Sequence, residues 1–154
     1  METVFNVIKV YRDNFSKLVS DLSEEEMNRI PAGFSNNIIL NYVHVIVSQQ
    51  VLCYRTTGLP YKIEESLIEK YRRGTVPADN VGKAELEQFT GMSIRLIEEL
   101  RADYLNGLFD VFETYTTSSG SAITSIESAI SYVAVHDGLH LGYSMALRRA
   151  VRNS

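Results

Sequence analysis

The sequence contains no tryptophan, one cysteine, three prolines and three histidines in 154 residues. With Cys53 as its only thiol, the chain can form no intrachain disulfide, which suits a reducing compartment. Pro31, Pro60 and Pro77 all fall between the long periodic segments, so none of those segments is interrupted. No run of residues approaches the roughly 20 consecutive apolar positions of a membrane span. At the N-terminus, Lys9, Arg12, Asp13 and Lys17 break up the apolar residues, so no signal pattern is present. Positive charge is also scarce: 15 Lys and Arg face 19 Asp and Glu, a net charge of −4. The basic residues are dispersed apart from Arg148-Arg149-Ala150-Val151-Arg152, a run that complements a helix C-terminus. Nucleic-acid binding, which needs a basic face, is therefore not expected. The expectation is one soluble, cytoplasmic domain over 1–154, with no nucleic-acid and no membrane partner. Its 45% hydrophobic residues are enough for a core.

What is present is helical periodicity. Val4, Ile8, Tyr11, Phe15, Leu18 and Leu22 follow alternating steps of four and three, predicting an amphipathic helix over 2–22. Asn6, Lys9, Arg12, Asp13 and Lys17 are assigned to its exterior. Ser23-Glu24-Glu25-Glu26 reads as a capping box, and Pro31 and Gly33 close the short helix it opens. A second long helix is predicted from Ser35 or Asn36 to Thr57, stopped by Gly58-Leu59-Pro60. It is apolar nearly all round, which predicts burial on more than one side, with a subunit contact as one way to cover the second side. A polar line runs through it: Asn37, Asn41, His44, Ser48 and Arg55. Residues 59–82 form a connection too long for a hairpin, with a short helix over Glu64–Tyr71. A third long helix spans 83–105. Val111–Thr116 and Ala122–Ile123 suggest a small hairpin, and Thr124-Ser125-Ile126-Glu127 reads as the capping box of a last helix to Arg149.

Every histidine falls on an inward face of a long helix. His136 and His140 are four positions apart, so both rings leave one helix face about one turn apart. His44 lies on the polar line. Three unrelated core histidines would each need a separate partner, whereas one metal ion satisfies all three. Three nitrogen ligands leave open coordination positions, the mark of a catalytic rather than a structural site. Zinc or nickel is the first expectation, with iron or manganese as alternatives. Asp137, between the pair, is the candidate catalytic residue: an acceptor orienting an imidazole, or a base beside the metal. The competing reading rotates it to solvent at the end of the helices. Cys53 is not counted as a ligand. Asn41, Ser48, Arg55 and Tyr143 are possible pocket groups.

One histidine on the second helix, in Ile39-Leu40-Asn41-Tyr42-Val43-His44, and a His-x-x-x-His pair on the last resemble the DinB/YfiT-like family of four-helix-bundle metalloproteins. The resemblance covers nearly the whole chain. It departs in lacking a tryptophan near the first histidine, and in Tyr143 after Gly142, where glutamine is common. The resemblance implies an all-α, up-down-down-up four-helix bundle with a long crossover between helices 2 and 3. It also implies a divalent metal on His44, His136 and His140, and a homodimer. Related members look like metal-dependent thiol transferases or isomerases that use low-molecular-weight thiols. The function expected is a metal-dependent hydrolase or thiol transferase acting on a small molecule. The alternative is a non-catalytic, metal-stabilised bundle acting in assembly or stress response.

Overall fold

Four long helices carry the chain: α1 (Glu2–Ser20), α3 (Ile38–Cys53), α5 (Lys83–Leu105) and α6 (Ile126–Arg152). Two short helices, α2 (Glu24–Asn28) and α4 (Glu65–Tyr71), sit in the connections. A two-residue antiparallel hairpin, β1 (Tyr115–Thr116) with β2 (Ala122–Ile123), pairs Tyr115 with Ile123 and precedes α6. This computed structural model describes residues 1–153. The protein is mostly helical, and among the described residues no helix is long and apolar enough to cross a membrane.

Local chemistry sets the element ends. Ser23 Oγ accepts from the Glu26 amide at 3.1 Å while Glu26 Oε2 accepts from the Ser23 amide at 2.8 Å, so the expected capping box opens α2. The α3 start lies later than expected, because Asn37 Oδ1 accepts from the Leu40 amide at 2.9 Å and makes Asn37 the cap. The regular helix also stops earlier, at Cys53. The chain then takes a tight turn over Arg55–Thr57 and leaves it at Gly58, whose φ of 70° favours glycine. The α6 cap is shifted by one residue. Ser125 Oγ accepts from the Ser128 amide, and Ser128 Oγ in turn accepts from the Ser125 amide, so a serine replaces the expected Glu127.

Every residue from Asn37 to Val47 is buried. The apolar circumference of α3 is covered within the chain, because α6, α4, α1, α2 and α5 all pack against it. A subunit contact is therefore not needed to explain its composition.

Arg12 corrects the reading of α1. It was expected outside, yet it is 0% exposed. Its guanidinium donates to Asp137 of α6 through Nε (2.5 Å) and Nη2 (3.3 Å), and to the Val45 carbonyl of α3 at 2.8 Å. Weaker bonds reach Gln49 Oε1 of α3 at 3.5 Å and Ser93 Oγ of α5 at 3.4 Å. One side chain of α1 thus reaches the other three long helices. Full burial of an arginine is tolerable only when its donors are spent in this way. The stripe expectation fails here because a charge with enough partners can occupy a core position that periodicity reserves for apolar residues.

Candidate metal centre

His44 projects from α3 and meets His136 and His140 from α6. The ring centroids of His44 lie 5.1 Å from His136 and 4.7 Å from His140, and the α6 pair is 4.5 Å apart. One nitrogen from each ring falls within 4.8 Å of the other two, so the three could hold a single metal ion. The close packing of α3 on α6 brings residues about ninety positions apart to one point.

Two of the rings are oriented by acceptors that settle their tautomers. Nδ1–H of His44 donates to the Tyr71 carbonyl at 2.8 Å, at the end of α4. Nδ1–H of His140 donates to Asn41 Oδ1 at 2.8 Å. A carbonyl oxygen can only accept, so each ring carries its proton on Nδ1 and its lone pair on Nε2. The Asn41 amide is itself held, because its Nδ2 donates to the Asn37 carbonyl at 2.7 Å and to Asn36 Oδ1 at 3.3 Å. Asn37, the α3 cap, thus also anchors the amide that orients His140. Ser48 Oγ lies 3.3 Å from His44 Nε2 and, with Nδ1 protonated, donates to it. His136 makes no hydrogen bond among the described residues. The polar line read along the second helix therefore serves the site in two parts: Asn37 and Asn41 orient His140, and Ser48 bonds His44.

The electrostatics suit ligation. Burial pushes His136 down to about 2, helped by the neighbouring His140, His44 and Arg12. His140 is pushed down to about 4 by burial and by His44. Burial also lowers His44, against the Tyr71 carbonyl, which favours the protonated ring. All three rings are neutral near pH 7, the form that donates a lone pair to a metal. The donor set therefore fits the divalent ion that the sequence led us to expect: neutral nitrogens, converging, with backbone and amide acceptors behind two of them.

Asp137 lies elsewhere. It is 1% exposed and gripped by Arg12, and no hydrogen bond links it to any of the three imidazoles. It accepts from none of the rings and does not reach solvent, which leaves, of its sequence readings, a base beside the metal, with Arg12 bonded to both of its oxygens. Burial pushes its carboxyl up to about 6, while Arg12 pulls it down. Cys53 is fully buried in a separate apolar cluster, and burial pushes its thiol well above the ordinary range.

A cavity of about 340 Å³ opens beside His44. A second, of about 300 Å³, is lined by all three histidines and shares His44, Arg72, Arg73, Ser118 and Tyr132 with the first. Ser48 and Arg55 line the first and Asn41 the second, as expected of pocket groups. Tyr143 does not line either; its ring packs on Phe34 at 6.0 Å. The sequence reading missed Arg72, Arg73 and Tyr132. The adjacent arginines were a visible signal, but their stretch reads as a turn, and nothing local tells that it folds back over His44.

The family model of the DinB superfamily matches residues 8–144, and the chain belongs to that superfamily. The matched region includes all three histidines. No curated protein matches the sequence.

Proposed function

We propose that this DinB superfamily member is a metal-dependent enzyme of hydrolase or thiol-transferase type, built as one up-down-down-up four-helix bundle domain. The observation that carries the reading is the convergence of three neutral imidazoles at the mouth of a cavity. A structural metal site is closed by a fourth protein ligand, whereas no fourth His, Cys, Asp or Glu joins this cluster among the described residues. That difference favours catalysis over a purely stabilising ion.

His44, His136 and His140 would hold the ion, with zinc or nickel the first candidates and iron or manganese next. When bound, it would supply Lewis acidity toward a water molecule or a substrate thiolate. The protein's own contribution is positioning. The Tyr71 carbonyl and Asn41 fix two rings with Nε2 toward the centre. Burial keeps the rings unprotonated. The adjoining cavities leave room for a small molecule against that centre. We assign Asp137 a positioning role: with Arg12 it pins the α6 turn that carries His136. A homodimer belongs to the same proposal, and Val135 and Leu139, 66% and 68% exposed on α6, are available apolar surface for it.

The test is turnover of thiols paired with electrophiles, and of simple esters and amides, by protein loaded with each metal in turn. Turnover that is lost on chelation and in His44→Ala supports the enzyme. No turnover with any metal, together with a melting temperature raised by metal, would favour the non-catalytic bundle.

A further inference from the structure

The cavities beside the histidines carry a charge that the rest of the chain does not. The protein has a net charge of −4, yet these walls hold Arg55, Arg72 and Arg73 against one carboxylate, Glu69. Glu69 is engaged by Arg72, whose Nε donates to it at 2.8 Å. Arg55 and Arg73 have no ion-pair partner among the described residues, whereas Arg12, Arg29, Arg95, Arg101, Arg148 and Arg152 all do. Arg149, near the end of α6, is the remaining arginine without an ion pair among the described residues, and it lines neither cavity. The guanidinium of Arg55 lies 5.7 Å from the centroid of the Tyr115 ring, a contact that holds the side chain without consuming its donors. Val47, Val51 and Ile68 supply an apolar wall in the same cavity, and His44 lines both cavities.

We propose that the substrate is a small organic acid whose anionic group, a carboxylate or a phosphate, is bound by Arg55 and Arg73 while its other end reaches the three histidines. The inference rests on the metal-enzyme reading for what happens at that second end, but not for the binding of the acid. Arginine suits the task because its planar fork of donors pairs with both oxygens of a carboxylate or phosphate. Both arginines are solvent-exposed, so the interaction is screened by salt, and specificity comes from their placement on two separate segments of the wall. Arg55 is held by the turn after α3 and Arg73 by the segment after α4, and both line the same cavity as His44.

The test is calorimetric titration of the zinc-loaded protein with mercaptosuccinate and with its uncharged counterpart thioglycerol. Mercaptosuccinate is expected to bind at least about tenfold more tightly, with the preference shrinking as sodium chloride is raised. In the double variant Arg55→Gln/Arg73→Gln the preference is expected to fall to about twofold or less, with zinc content unchanged. Arg149→Gln is expected to keep it. Equal affinities in the native protein, or a preference that survives the double variant, would overturn the proposal. A parallel titration of chelator-treated protein with succinate and inorganic phosphate separates the two readings and the two anions. Arginine-dependent binding by protein that takes up no zinc would sustain the acid site and sink the metal reading. Zinc uptake without arginine-dependent binding of any of these anions would do the reverse.

Discussion

Arg12 and Asp137 form a fully buried, two-pronged ion pair between α1 and α6, one residue along the chain from His136. Such a pair adds little stability over an apolar isostere, but losing one partner strands a charge in the core. Asp137→Ala is expected to cost about 3–5 kcal/mol in urea unfolding. Arg12→Met combined with Asp137→Leu is expected to recover most of that loss. If Asp137→Ala unfolds like the native protein but loses all turnover, Asp137 is a catalytic group rather than a positioning one.

Asn41 reaches His140 from another helix and fixes its ring nitrogen. Groups that orient a ligand histidine typically contribute about 10–100-fold in metal affinity. Asn41→Leu should weaken zinc binding within that range, measured by competition with a chromophoric chelator. Asn41→Asp keeps an acceptor for Nδ1–H and should restore most of the affinity. Equal affinity in Asn41→Leu would remove the orienting role.

Acid should weaken the metal-free protein. His136 and His140 are held at about 2 and about 4 in the folded chain, below the ordinary 6.5. As pH falls below about 6.5 the unfolded chain takes up protons that the folded chain refuses, so stability is lost progressively, for His140 down to about pH 4 and for His136 down to about pH 2. Asp137 works the other way: held at about 6 against an ordinary 3.8, it gains its proton first in the folded state. With His44 also lowered, three imidazoles oppose one carboxylate, and the net expectation is a falling urea midpoint between pH 6.5 and 4. The replacement His136→Gln should flatten that slope. A midpoint constant across this range, or one that rises, would contradict neutral buried rings.

How much of this could be read from the residues depends on whether the signal is local. The His-x-x-x-His pair and the apolar length of α3 are local, so the three ligand candidates and most helix positions are legible. Arg12 was misread because a helical stripe ranks residues by type, and only the fold shows that Val45, Gln49, Ser93 and Asp137 converge on its donors. Asp137, a carboxylate between two inward-facing histidines, is the available hint that a buried cation would be needed. Tyr71 contributes a backbone carbonyl to His44, and no side-chain pattern can announce a carbonyl. The α6 cap shifted by one residue because Ser125 and Ser128 satisfy the same reciprocal geometry as a serine with a glutamate.

Cys53 should be inert. Its burial and raised thiol place it outside the metal chemistry. A thiol-reactive dye should label native protein at pH 8 only as fast as it unfolds, and Cys53→Ala should retain its full metal content. Rapid labelling of the folded protein, or loss of metal in the variant, would put the cysteine back among the ligands.

The most direct measurement is elemental analysis of freshly purified protein together with X-ray absorption at the edge of the metal found. One divalent ion per chain is expected, with three imidazole nitrogens in its first shell. That ion should be lost in His44→Ala and in His140→Ala while both variants remain helical by circular dichroism. Protein that carries no metal and takes none up at micromolar concentrations, or metal retained in both variants, would contradict the three-histidine centre.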